Sequence, residues 1–489
     1  MGKRYTIAIA VCLSCVTAYA QKDSPPPERP DIPRDGALSL RNAIELALQE
    51  NPGLAAFALD IRAADARVWQ AGLLPNPELS IEIEDIRWTP GPTERSRSKS
   101  FSGAGGGWER AKAEGAHSGF RESEFTISIA QAIELGGKRS KRIAVAKQEK
   151  QLVLWDYETA RADVVAETGN AFVRLLAAQE NLRLQKELMD LAAKVAHAAR
   201  LRVEAGKASP LDSSKAEVAL AATKVKYEQA VHSLHAARVR LSTTWGETAP
   251  HFDEAAGSLD AVHLLPGIDA LAKSLDRNPD MARWASEIAF RDAGFALERS
   301  RRFPDLSLEF GFKTSGLAGR KKRGYGSDGT WSHSESEYDA DVENTFVAGL
   351  SIPLPLFDRN QGNIAVAEAM AAKAGKLRRV TQVLLHAALV QAHEEAVAAL
   401  AAVEILRSES LPKAGDVYRK TQIGYREGKF DYLDVLDAQR TLFDARADEL
   451  DALARVHLAV VDLERLTGEP VANNAGQDAP PEMENSHVE

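Results

Sequence analysis

The sequence predicts an α+β membrane protein in which one unit, a helix, two β-strands and a long helical hairpin, occurs twice. Three observations carry that expectation. Sequence anchors recur in the same order in the two halves of the 489-residue chain. Alternating apolar and polar residues mark two strands in each half. Residues 140–204 run without proline, a tract that as a helix would be a rod of roughly 100 Å at 1.5 Å per residue.

The first element is a leader. Lys3 and Arg4, the apolar stretch 5–16 and Ala18-Tyr19-Ala20 have the layout of a cleaved secretory signal over residues 1–20. A lipoprotein signal acylated at Cys15 is the competing reading, although Cys12-Leu13-Ser14 is a poor lead-in for it. Both cysteines lie within this leader, so disulfides, thiolate metal sites and cysteine nucleophiles are excluded from the rest. Residues 21–39 read as a linker and 40–249 as the first repeat.

That repeat opens with a helix over 40–72, kinked at Asn51-Pro52. Two strands follow. Leu79, Ile81 and Ile83 alternate with Ser80, Glu82 and Glu84, and Phe125, Ile127 and Ile129 alternate with Thr126, Ser128 and Ala130. The Ser/Gly/charge-rich segment 89–121 between them is too polar for a core and reads as a loop. The long rod and a return helix over 211–245 complete the unit.

Residues 250–267 separate the copies, 268–470 form the second, and 471–489 are a polar tail. In the second copy Leu306, Leu308, Phe310 and Phe312, then Phe346, Ala348, Leu350 and Ile352, supply the alternation, with 314–344 as the loop. Asn51-Pro52 recurs as Asn278-Pro279, and Pro77-Glu78-Leu79-Ser80-Ile81-Glu82 as Pro304-Asp305-Leu306-Ser307-Leu308-Glu309. Ile143-Ala144-Val145-Ala146 recurs as Ile364-Ala365-Val366-Ala367. Residues 206–247 align ungapped with 428–469, placing His235 opposite His457. Ordered anchors at nearly constant spacing mark a duplication.

Aromatic residues make up only 6% and charged residues 27%, lean material for a globular core and typical of long helices. A net charge of −9 gives no footprint for nucleic-acid binding. No stretch beyond the leader reaches the ~18 apolar residues of a spanning helix, but strands cross membranes on a weaker signal. Four strands cannot close a barrel, whose smallest common form needs about eight, so the chain would share a barrel with other copies. The alternative is an amphipathic sheet lying on a soluble core. Leu436, Phe443 and Leu450, beside Ala438, Ala445, Ala452 and Ala459, repeat every seven residues as helix-packing rows.

Four segments carry a family resemblance: Phe303-Pro304-Asp305-Leu306, the run from Gly428-Lys429-Phe430-Asp431 through Asp434 to Gln439, Ile133-Glu134-Leu135-Gly136-Gly137-Lys138-Arg139, and Pro355-Leu356-Phe357-Asp358-Arg359-Asn360-Gln361-Gly362-Asn363. Together with the order of elements, they resemble the TolC-like outer-membrane efflux factors, the last two most like the heavy-metal (cobalt-zinc-cadmium) branch. The resemblance implies a homotrimer with a twelve-stranded outer-membrane barrel and a helical tunnel across the periplasm. It further implies a periplasmic adaptor and a proton-driven inner-membrane pump of the resistance-nodulation-division type as partners. Divalent metal cations are the implied cargo. A duct for drugs or polypeptides, or a coiled-coil scaffold without a pore, are the alternatives. No Gly-rich phosphate loop, His-Glu-x-x-His or Gly-x-Ser-x-Gly motif occurs, so neither an enzyme nor a cofactor is expected.

The resemblance assigns Asp434 and Asp437 to a periplasmic gate, where three chains would gather six carboxylates and repulsion would favour opening. Both also suit first-turn carboxylates that stabilise a helix N-terminus. Their first-half counterparts are Asp212 and Lys215. Gly206 and Lys207, and Gly428 and Lys429, mark the hairpin tips implied to meet the adaptor. If Leu79, Ile81 and Ile83 face lipid, Glu82, Glu84 and Glu309 face an acidic lumen that attracts cations. His232 and His235 share a helix face at a metal-ligand spacing and read as surface histidines.

Overall fold

A computed structural model describes residues 36–84, 124–206, 208–261, 265–318 and 340–470. The leader, most of both strand-joining loops, Lys207 and the C-terminal tail fall outside these residues.

After the short strand β1 (Ala37–Ser39), Ser39 caps α1 (Leu40–Glu50) by accepting from the Asn42 N–H at 3.2 Å. The expected kink is a full break. Asn51 adopts an extended conformation, ends α1, and caps α2 (Pro52–Ala71) through its Oδ1, 3.0 Å from the Leu54 nitrogen. Pro52 at the first helical position lacks only a donor that would have no partner there. The same device begins the second copy, where Asn278 accepts from the Asp280 N–H at 2.8 Å.

Strands β2 (Glu78–Glu84) and β3 (Glu124–Ile133) lead into α3 (Lys138–Glu204), 67 residues long. The chain returns through α4 (Pro210–Ser242) and a 3-10 turn ending at Trp245. Strand β4 (Glu254–Ala256) then pairs in parallel with β1. These two strands lie in segments expected as connectors; at three residues each they are too short for alternation to register. They cover a core in which Leu46, Phe172, Leu175, Trp245, Phe252 and Val456 are buried together.

The second copy repeats the plan with α5 (Ile268–Ser274), α6 (Pro279–Ser300), β5 (Leu306–Ala318) and β6 (Ala340–Ser351). Both strands run further than the alternation predicted, pairing up to Ala318 with Ala340. The ladder is made by backbone groups, so polar composition over 314–318 and 340–344 does not end it. The outgoing arm is not one uninterrupted rod: α7 (Gln361–Ile405) passes through a π-helical segment, 406–410, into α8 (Leu411–Glu427). Pro412 cannot donate to the preceding turn, and the wider helix absorbs the lost bond. Helix α9 (Tyr432–Thr467) brings the chain back.

Helix α3 is lined end to end. Its first half meets α2 and α6, as in Lys150 to Asp65 (2.5 Å) and Arg283 to Asp156 (2.6 Å). From Glu167 onward it meets α4 and α9, as in Arg240 to Glu167 (2.8 Å) and Arg446 to Glu187 (3.3 Å). The shorter helices therefore stack along the rod. Among the described residues no helix is long and apolar enough to cross a membrane.

Candidate functional site

The sheet, ordered β2-β3-β5-β6, has one mainly apolar and one polar face, with Gln131, Thr314 and Asn344 as polar residues on the apolar side. One face carries the rows Leu79, Ile129, Phe310, Ala348 and Ile81, Ile127, Phe312, Phe346. Phe346 is 86% exposed and packs edge-on against Phe312 with ring centroids 5.6 Å apart. Keeping such side chains in water costs about 1.5–3 kcal/mol each. The opposite face carries Glu82, Thr126, Lys313 and Thr345 in one row and Glu84, Glu124, Ser315 and Glu343 in the next. Glu309 lies on this same face opposite Ala130. The structure thus brings Glu82, Glu84 and Glu309 together on one polar surface, where Lys313 pairs with Glu124.

Both hairpin tips turn at glycine in the left-handed region, Gly206 with φ 67° and Gly428 with φ 77°. Gly428 and Lys429 donate to the carbonyls of Tyr425 (3.1 Å) and Gly424 (2.8 Å), closing the end of α8. The Lys429 side chain reaches Glu427 at 2.7 Å. Phe430 lies directly against Gly424.

Asp434 is the third residue of α9. It accepts from the Asp431 N–H while its own N–H donates to Asp431 Oδ1, each 3.0 Å. Asp212 makes the equivalent box with Ser209 in the first copy. The recurring aspartate is therefore a helix-terminus carboxylate in both copies. Asp437 is different: it is exposed, its backbone carbonyl accepts from the Thr441 hydroxyl at 3.0 Å, its carboxylate has no ion-pair partner among the described residues, and its counterpart is Lys215. Nearby Tyr432 is buried among Ala196, Ala199 and Ala216. Burial pushes its phenol up to about 12, with Tyr425 and Asp212 adding to the effect. Arg202 lies 4.4 Å from the Tyr425 ring centroid.

Sequence reading stopped at Asp437, but the exposed face it shares with Asp434 continues along α9 through Asp444, Asp448 and Asp451. None of these three, nor Asp437, has an ion-pair partner among the described residues. Val435, Ala438, Leu442, Leu453 and Val456 turn inward on the other side. The seven-residue spacing of Asp437, Asp444 and Asp451 was the available signal. In α4 the matching positions are Lys215, Ala222 and Gln229, so the acidic column belongs to the second copy alone. His232 and His235 are exposed, and no metal-holding group of residues occurs among those described.

The chain matches the family model described as outer membrane efflux protein twice, over residues 43–247 and 270–469. It is 34% identical over 453 residues to the cobalt-zinc-cadmium resistance protein CzcC of Cupriavidus metallidurans, spanning 92% of this chain and 95% of that protein. The nickel and cobalt resistance protein CnrC of the same organism is 28% identical over 69% of each chain. Among solved structures, CusC superposes with a TM-score of 0.66 at 18% identity, covering 88% of this chain and 91% of that one. The outer membrane protein VceC from Vibrio cholerae gives 0.61 at 16% identity, covering 88% and 96%. The two-faced sheet, the rods that continue it and these matches identify a transport protein and not an enzyme: the chain belongs to the outer membrane efflux protein family.

Proposed function

We propose that this protein is the outer-membrane duct of a tripartite, proton-driven efflux system that exports divalent heavy-metal cations. The observation that carries the reading is the full-length similarity to a cobalt-zinc-cadmium resistance protein, joined to a sheet that is apolar on one face and acidic on the other. Strands β2 and β6 end the sheet with open edges, and unpaired edges in lipid are untenable. Three copies joined edge to edge make a closed twelve-stranded barrel, with Glu82, Glu84 and Glu309 toward its water-filled lumen. The helices continue this lumen into the periplasm, and the tips around Gly206, Lys207, Gly428 and Lys429 meet a periplasmic adaptor that links the duct to an inner-membrane pump of the resistance-nodulation-division type.

Asp437, with Asp434 beside it, forms the periplasmic gate. Threefold symmetry brings six carboxylates together; their repulsion favours opening, and a bound cation or proton favours closure. Because Asp434 also caps α9, Asp437→Ala is the cleaner test. Planar-bilayer recordings are expected to show altered conductance and weakened cation selectivity in Asp437→Ala, more strongly when Asp434→Ala is added. Conductance equal to wild type in both variants would remove the gate assignment.

Cargo is tested in cells. A strain lacking the protein is expected to lose tolerance to zinc, cobalt, cadmium or nickel while drug tolerance is unchanged. The opposite pattern would favour a small-molecule duct, a reading supported by 23% identity to a pyoverdine export protein of Pseudomonas putida.

A further inference from the structure

The four junctions between strands and helices are stitched together in a row at the foot of the sheet, which the proposed trimer would complete into a ring. Arg139 donates to the Gly72 carbonyl at 2.6 Å and Arg142 to those of Ala71 and Leu73 at 2.9 and 3.1 Å, tying the start of α3 to the end of α2. Lys138 pairs with Asp305 at 2.7 Å, tying α3 to the entry of β5. Asn360, at φ 61°, sends its amide to the Glu298 carbonyl at 2.9 Å, tying the start of α7 to the end of α6.

Charge in this row does not balance. Three of its acids are paired with cations, Glu134 with Arg142, Asp305 with Lys138 and Glu298 with Arg301, while Asp358 accepts only from the Asn360 N–H at 2.8 Å and keeps its charge. Arg139, Lys141, Arg299, Arg302 and Arg359 are exposed and have no acidic partner among the described residues. A chain of net charge −9 thus gathers a positive surplus at one level. Large apolar side chains accompany it: Leu74, Leu354 and Phe357 are exposed, Phe357 by 92%. Trp69, 70% exposed, stands one turn before Gly72. Ile352 and Leu354 continue the alternation that places Phe346 and Leu350 on the apolar face.

We propose that this ring seats the phosphate headgroups of anionic phospholipids at the periplasmic edge of the barrel. The inference rests on the membrane reading above and adds which lipid the protein selects. Charge complementarity argues for an anion, since five cations without an acidic partner among the described residues surround an apolar rim and attract negative headgroups. Continuity argues for a lipid, since the rim prolongs the sheet's apolar face and ends in an interfacial tryptophan. Free phosphate would satisfy the cations but would leave Trp69 and Phe357 in water. Long basic side chains reach from the apolar boundary to the headgroup level.

The test uses the full chain reconstituted into vesicles of phosphatidylethanolamine, alone or mixed with phosphatidylglycerol. Lipid retained on the extracted protein is read by native mass spectrometry. Wild type is expected to keep phosphatidylglycerol preferentially, and each cation replaced by glutamine to weaken that preference by roughly fivefold. A variant with Arg139→Lys, Arg299→Lys, Arg302→Lys and Arg359→Lys is expected to retain it, which separates charge from misfolding. Quenching by brominated phosphatidylglycerol, taken as the difference between wild type and Trp69→Phe, gives a second reading with every cation in place. Equal retention of both lipids by wild type, or complete displacement by inorganic phosphate at matched ionic strength, would overturn the proposal. Resistance to a carbonate wash is scored separately: a wild-type protein that never enters the vesicles defeats the membrane reading, whereas insertion without lipid preference defeats only this inference.

Discussion

Two residues show how single side chains set this fold. Gly136, at φ 71°, has no space for a Cβ: the position would lie 2.9 Å from both the Phe303 ring and the Ser300 carbonyl. Gly136→Ala is therefore expected to cost about 1–3 kcal/mol, measured by thermal unfolding against Gly267→Ala, whose Cβ meets open space. The glycine pair was visible in the sequence between a strand and the long helix, but the close approach of Phe303 was not, because it joins residues far apart in the chain. Asn278 is similar. Its pairing with Pro279 was legible as the recurrence of the Asn51-Pro52 kink, while the full helix boundary and its amide bond to the Leu466 carbonyl at 2.9 Å had no local signature. Asp434 was assigned to the gate from resemblance, and the capping box shows it engaged at a helix start as well; Asp437 alone is free of that duty.

At the scale of elements, the strands were legible because alternation repeated in both copies, and the long helix because nothing in 140–204 interrupts it. The β1–β4 pair and the π-helical segment were not: one is too short for a period, and the other arises from how a helix accommodates Pro412. The tip hairpin has its own pH dependence. Burial keeps Tyr432 protonated, so between pH 10 and about 12 the folded tip binds more protons than the unfolded chain. Its stabilising effect is complete below pH 10 and is lost as pH rises through that window. Protection of α8 and the start of α9, measured relative to the intrinsic base-catalysed exchange rate, is expected to fall there, and Tyr432→Phe to remove that fall. Identical alkaline profiles for the two proteins would show that the phenol is not responsible.

At the scale of the molecule, the open edges of β2 and β6 make a single chain incomplete. Cross-linking in native membranes is expected to trap a species of three chains, and a population that stays monomeric at every cross-linker concentration would refute the shared barrel. The asparagine devices bear on how such an assembly is made. Asn51 bonds to the Thr244 carbonyl at 2.7 Å, and Asn278 makes the corresponding bond at the end of α9, so each copy fastens its own beginning to its own end. Each loop closes using only residues of one half. A polypeptide delivered N-terminus first can tie the first half while the second is still emerging, leaving the joining of β3 to β5 and the packing of α6 and α9 against α3 as the step that makes one subunit. Duplication here supplied a production sequence as well as a wall.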